Sequence, residues 1–197
     1  MRHPWIPTLV LSLAATGAWA QAINIDFGRE HPLPGEGWGA APNQLGPWNA
    51  VESLEGEIPV LLDTSGLPTK VSLACDLPFG PATLDSRYTA GNLEALLDDY
   101  LDLHSVPSTL AVSGLAPGRY AFYVYAWAPD YPKARTSVSI GDGRAEIVGG
   151  FGGGGVLIEG VHYARIATRV RAGEPVEVHL FGFGKGTLNG LQIEPLP

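Results

Sequence analysis

The 197 residues hold 26 glycines and 17 prolines, scattered along the whole chain rather than gathered into one linker. Residues that free or fix the backbone at such close intervals leave room only for short segments of regular structure. Between them lie runs rich in Val, Ile, Tyr and Phe. In Ala22-Ile23-Asn24-Ile25-Asp26-Phe27 apolar and polar side chains alternate until Gly28, the period of a strand with one buried face. Similar patterns predict strands over 58–62, 70–75, 108–112, 120–127, 136–140, 145–148, 162–170, 176–181 and 187–193.

One segment departs from that rhythm. Over residues 92–103, Leu93, Leu96, Leu97, Tyr100 and Leu101 recur at three- and four-residue spacing, with Glu94, Asp98, Asp99 and Asp102 opposite them. This predicts a single short α-helix covering one end of the sheets, its acidic face either solvated or turned to a partner. Leu115-Ala116-Pro117-Gly118 and Arg171-Ala172-Gly173-Glu174-Pro175 read as turns between paired strands. Strands do not alternate regularly with helices, so the expected fold is all-β: an antiparallel β-sandwich of jelly-roll type with one helix.

The first 20 residues have a different character. Arg2 and His3 precede an apolar stretch over 5–15, and Ala18-Trp19-Ala20 forms a small-x-small cleavage pattern. These are the parts of a secretory signal peptide, leaving residues 21–197 as one domain, secreted or periplasmic. The apolar stretch is interrupted by Pro7 and is shorter than the roughly 20 residues that span a bilayer. No membrane anchor is therefore expected.

With 20 acidic residues against 12 Lys and Arg the formal charge is −8, one unit more negative once Arg2 is removed. That disfavours nucleic acid, whose phosphates need a basic face. Cys75 is the only cysteine, so no intramolecular disulfide forms and the core alone must hold the fold. Within its strand pattern Cys75 reads as a buried position.

Glycine-rich segments invite a phosphate-binding reading, and two fail it. In Gly182-Phe183-Gly184-Lys185-Gly186-Thr187 a glycine stands where a hydroxyl residue should follow the lysine; Gly149-Gly150-Phe151-Gly152-Gly153-Gly154-Gly155 has no lysine at all. The first is expected to be a tight turn and the second a loop. There is no Gly-x-Ser-x-Gly elbow, and His31, His104, His162 and His179 lack helical zinc spacing. No catalytic residue, metal ligand or cofactor is assigned. Asp26, Asp63 and Asp76 have the oxygen chemistry of structural calcium, but their spacing defines no site.

The remaining signal is aromatic. Trp38 and Trp48 lie in a loop of small and turn-forming residues, and strand alternation sends Phe122 and Val124 to one face and Tyr123, Tyr125 and Trp127 to the other. The chain then enters a loop with Asp130 and Tyr131. Flat rings beside amide and carboxylate groups suit sugars, whose C–H faces stack while fixed polar groups take the hydroxyls. The alternative is that Trp38 and Trp48 pin their loop to the sandwich and Trp127 caps the core; for Trp48 that is the favoured reading.

Ala22 to Gly28, Gly114-Leu115-Ala116-Pro117-Gly118-Arg119-Tyr120 before the aromatic strand, Val138-Ser139-Ile140 after it, and Leu188-Asn189-Gly190-Leu191-Gln192-Ile193 resemble malectin-like and related galactose-binding-like jelly-roll domains, which occur in secreted bacterial proteins. The resemblance implies the sandwich and, with it, carbohydrate binding by loop aromatics and an acidic or amide residue. The candidate ligand-binding residues are Trp38, Trp127, Asp130, Tyr131 and Asn189 of a secreted, non-catalytic carbohydrate-binding module with a glycan partner. An adhesive envelope or matrix protein and a polysaccharide hydrolase are the two alternatives.

Overall fold

The computed structural model describes residues 21–28, 30–55, 58–76, 80–152 and 155–197. The signal-peptide expectation for residues 1–20 lies outside them, as do Gly153 and Gly154 of the glycine-rich loop. Strands β1 (Ile23–Phe27), β2 (Trp48–Val51), β3 (Ser72–Cys75) and β4 (Pro81–Thr83) lead to helix α1 (Asn92–Leu97). There follow β5 (Asp99–Asp102), β6 (Ser108–Ser113), β7 (Gly118–Tyr125), β8 (Arg135–Ile140), β9 (Glu146–Gly149) and β10 (Tyr163–Val170). The chain closes with β11 (Val176–Phe183), β12 (Thr187–Leu188) and β13 (Gly190–Leu196).

Two five-stranded sheets, β10-β7-β13-β1-β2 and β3-β6-β11-β8-β9, form the sandwich, and β12-β5-β4 makes a third, small sheet. The pairs are antiparallel except β1 with β2, which is parallel. From β6 to β8 the chain passes from one large sheet to the other and back, as a jelly roll does. The turns at 115–118 and 171–175 therefore join strands of opposite sheets, since β6 is not paired with β7 nor β10 with β11. This corrects the expectation of hairpins; the inward faces of both large sheets must meet, and a short turn at the sandwich edge achieves that.

The central core follows the predicted alternation. Ile23, Ile25, Phe27, Tyr120, Phe122, Val124, Leu191 and Ile193 of the first sheet meet Leu110, Val112, Val138, Val178 and Leu180 of the second. Cys75 is only half-buried, packed on the margin of this core.

Two further expectations change. The helix stops at Leu97, and residues 99–102 form β5, paired with β4 and β12. Side chains end the helix: Asp98 accepts from Ser86 N at 3.0 Å and Thr89 Oγ1 at 2.8 Å, while Asp99 accepts from Glu30 N at 2.9 Å and His31 N at 2.8 Å. Such bonds tie the chain to distant backbone that a continuing helix could not reach. At 58–62 there is no strand, only a bridge between Leu62 and Pro68. The side chain of Asn49 takes the Leu62 N–H at 2.7 Å, and Pro59 has none to give.

The pattern expected as one strand over 187–193 is divided at Asn189, which is fully buried. Its Oδ1 accepts from Trp127 N at 2.8 Å and from Thr187 Oγ1 at 2.9 Å. Its Nδ2 donates to Leu97 O at 2.8 Å and Asp99 O at 3.1 Å. One amide thus joins the helix end, β5, β12 and the exit of β7. Replacing Asn189 with Ala strands buried backbone groups that each cost about 1–3 kcal/mol. The expected loss is about 4 kcal/mol, read as a lower urea midpoint with unchanged m-value.

Candidate functional site

The outward face of the first sheet carries a second core. Trp48, Ala121, Tyr123, Tyr125 and Trp127 pack with Ala41, Leu93, Leu96 and Leu97, while Trp38, Val161 and Tyr163 close the margin. Ring centroids lie 6.2 Å apart for Trp48 and Tyr125, and 5.8 Å for Tyr125 and Tyr163, within the range of favourable tilted pairs. The covering loop is clamped by polar bonds: Tyr125 OH donates to Gln192 Oε1 at 2.6 Å, Ala41 N to the same oxygen at 3.0 Å, and Trp48 Nε1 to Trp38 O at 3.2 Å. Trp48 pins its loop, as expected.

Trp127 is 2% exposed, with its ring edge-on to His162 at 4.6 Å and its Nε1 donating to Gly150 O at 2.9 Å. A ring so enclosed has no face for a sugar, and the core-capping alternative accounts for it. His162 is buried with it; burial lowers its pKa from 6.5 to about 4, and the ring accepts Ile158 N through Nδ1 at 2.8 Å. Asn189, with both polar atoms engaged and no exposed surface, is likewise structural. Trp38 is half-buried on the second core.

Asp130 and Tyr131 are brought together in the open. They line a rim cavity of about 430 Å³ with Pro132, Lys133, Ala134, Gly184 and Lys185. Two features build it. The loop between β7 and β8 turns tightly, with Tyr131 N donating to Ala128 O at 3.0 Å and Ala134 N to Tyr131 O at 2.8 Å. The antiparallel register of β8 with β11 sets Arg135 beside Phe183, which carries the turn at 184–186 to the same rim. That turn is tight as expected: a Cβ on Gly186 would stand 2.2 Å from the Gly182 Cα.

Tyr131 is 43% exposed. Lys185 Nζ lies 5.6 Å from its ring centroid and 5.6 Å from that of Tyr100, and is 3.0 Å from Asp102 Oδ2. The Asp102 carboxylate beside it pushes the Lys185 pKa up, so the ammonium stays charged at the cavity wall. Asp130 Oδ1 accepts from Ser86 Oγ at 2.9 Å, which fixes its carboxylate. An open ring, two ammonium groups and an anchored carboxylate can stack on a flat apolar surface while exchanging hydrogen bonds around its edge.

Lys133 and Lys185 were not among the residues singled out by sequence. Lys185 was legible only as part of a failed phosphate loop, and its approach to Tyr131 depends on the β8–β11 pairing. A larger groove, about 510 Å³, runs past Asn43, Gln44, Tyr123, Arg165 and Glu194. There the Tyr123 hydroxyl already donates to Glu194 at 2.9 Å and accepts from Arg165 at 3.1 Å, and its ring is buried. The acids considered for calcium lie apart: Asp63 caps its own turn through Ser65 N at 2.8 Å, Asp76 holds Thr109 N at 2.5 Å, and Asp26 is buried in β1.

No family profile and no curated protein matches the chain. Among solved structures it is similar to Bacteroides uniformis beta-glucuronidase 2 at 11% identity and TM-score 0.48, over 89% of this chain and 18% of that one. It is also similar to a Podospora anserina GH26-CBM35 β-(1,4)-mannanase (16% identity, TM-score 0.36, 64% of this chain and 28% of that one). A third is the Phanerochaete chrysosporium exo-β-1,3-galactanase with galactose (12% identity, TM-score 0.31, 70% and 34%). The chain spans about a third or less of each of these proteins. At such identities and TM-scores the likeness carries no part of the functional argument, which rests on the cavity.

Because Trp127 is packing rather than binding surface, Trp127→Ala is expected to cost about 3–5 kcal/mol of stability. Trp127→Phe, which strands the Gly150 carbonyl, is expected to cost about 1–3 kcal/mol. Denaturant unfolding followed by far-UV circular dichroism checks both.

Proposed function

We propose that this chain is a secreted, non-catalytic carbohydrate-binding module that takes a sugar in the rim cavity at Asp130, Tyr131, Lys133 and Lys185. The observation that supports it is the exposed Tyr131 ring set within a cavity of about 430 Å³ between an anchored carboxylate and two ammonium groups. A pyranose presents a C–H face to such a ring and a rim of hydroxyls to its neighbours. Asp130 accepts from a hydroxyl, Lys133 donates to one, and Lys185, held by Asp102, lends one side of its ammonium.

The cavity's size suits one or two sugar rings rather than a long chain, and pockets of this scale fall within the range of small-ligand sites. The adhesive and hydrolase alternatives are separated from this reading by what a glycan screen returns. Protein capture with no glycan bound favours the first, and turnover of a bound glycan favours the second.

The test is a glycan array with the protein, followed by titration of a positive glycan. Tyr131→Ala is expected to weaken binding about tenfold or more, equivalent to about 1.4 kcal/mol, with the urea midpoint nearly unchanged. Phe183→Ala, at an exposed ring outside the cavity lining, is expected to leave affinity as it was. Binding that survives Tyr131→Ala at wild-type strength removes the cavity from the account.

A further inference from the structure

Two acids lie deep in the fold with unfinished bonding. Asp26 at 3% and Asp99 at 1% exposure each keep one oxygen, Oδ1, without a hydrogen-bond partner. Asp26 is on β1; Asp99 opens β5, and its other oxygen accepts from Glu30 N at 2.9 Å and His31 N at 2.8 Å. The backbone between them is pressed close, since a Cβ on Gly28 would stand 2.0 Å from the Asp99 Cβ. A buried carboxylate oxygen left bare costs far more than a polar atom in water, and two adjacent carboxylates cannot both ionise cheaply.

We propose that Asp26 and Asp99 share one proton through their unpartnered oxygens, and that this acid pair makes the anchorage of Gly28, Glu30 and His31 to the sheet sensitive to pH. Protonated Asp26 donates to Asp99, whose other oxygen holds the Glu30 and His31 amides. Loss of the proton leaves a second negative charge in the same buried setting, relieved by displacing Gly28, Glu30 and His31 and admitting water. Those residues begin the loop that covers the second core.

The surroundings agree. Burial, and then the charge of Asp99, raise the Asp26 pKa from 3.8 to about 8. The charged and titratable groups packed nearby are Glu30 and His31 on the same loop and Glu94 and Asp98 on and after α1. His31 Nδ1 is 3.9 Å from Glu94 Oε1, and its Nε2 is 2.9 Å from Leu84 O. Asp98 is itself raised by burial, against the bonds from Ser86 and Thr89. Among the described residues no ion pair forms on Asp26 or Asp99.

A native state that binds the proton more tightly than the unfolded chain loses stability as pH rises from 3.8 to about 8, and the loss is complete above that. His162 acts oppositely: its depressed pKa contributes stability that is full above 6.5 and falls away toward 4. Below 6.5 the two slopes offset each other. Between 6.5 and 8 the His162 contribution is constant, and the acid pair is expected to lower the folding equilibrium constant about tenfold per pH unit.

The experiment is urea unfolding of the protein from pH 5 to 9 for wild type, Asp26→Asn and Asp99→Asn. The amide of Asp26→Asn supplies the donor permanently. It should flatten the profile between pH 6.5 and 8 and leave the variant more stable than wild type at pH 8.5. Asp99→Asn removes the smaller of the two causes, so it should move the fall toward lower pH without abolishing it. The proposal is overturned by a wild-type profile with no fall between 6.5 and 8, or by a fall that persists in Asp26→Asn. Millimolar calcium that raises the wild-type midpoint at pH 8.5 but not that of Asp26→Asn would also overturn it, since a cation would then be the occupant. Should either variant fail to fold, carbon-13 carboxyl titration of wild type decides: one aspartate with a midpoint near 8 supports the shared proton, and a full set below 6 rules it out.

Discussion

The first sheet is buried on both faces, and most of what surrounds it follows from that. Tyr120, Phe122 and Val124 of β7 enter the space between the sheets, while Tyr123, Tyr125 and Trp127 leave on the far side. Rings of that size bury roughly 150–250 Å² each, so the far side cannot be left to water. Helix α1, the loop through Trp38 and Trp48, and the segment around Val161 and His162 cover it. An antiparallel sandwich with one solvated face per sheet would need none of these.

Covering loops have no ladder of their own, so side chains supply the bonds. Gln192 Nε2 donates to Asn24 Oδ1 at 2.8 Å, and Asn49 Nδ2 donates to Asn24 O at 2.8 Å and Leu62 O at 2.9 Å. Gln44 Nε2 reaches Ile23 O at 2.6 Å. This use of the aromatic face has a consequence for ligand binding: the rings most prominent in the sequence are consumed by packing. Tyr131, which follows Pro129 and Asp130 beyond the end of β7, is instead left exposed on the rim.

Much of the fold was legible because alternation survives where strands are long. β7, β8, β10 and β11 lie within a few residues of their expected places. The errors have a common cause in side-chain bonds that override local pattern. Leu96, Leu97, Tyr100 and Leu101 fit a helix by spacing, yet Asp98 and Asp99 bond to backbone far along the chain and convert the second half to β5. Asn189 is a ligand candidate by sequence because an amide can exchange hydrogen bonds with sugar hydroxyls. Its four partners come from elements whose convergence no local pattern reveals. The face to which Trp127 belongs was readable from alternation; that the face is covered was not. Asp130 and Tyr131 could be placed together on the rim because they follow an aromatic strand in one loop, whereas Lys185 reaches them only through sheet pairing.

Three buried polar groups, Asn189, Asp99 and Asp26, illustrate different solutions to burial. Asn189 can donate and accept at once, so a neutral amide meets carbonyls on one side and N–H and hydroxyl groups on the other, with no charge to desolvate. Asp99 is placed one strand away to catch two backbone amides, a task that favours an anion because an acceptor-only group matches two donors. Asp26 has no such donors facing its Oδ1, and the backbone of β1 at that point is committed to β13 and β2. An anion there would be buried and would meet the charge of Asp99. Neutrality is the state in which this carboxyl is compatible with the neighbouring one, which links the second core's covering loop to a protonation equilibrium rather than to packing alone.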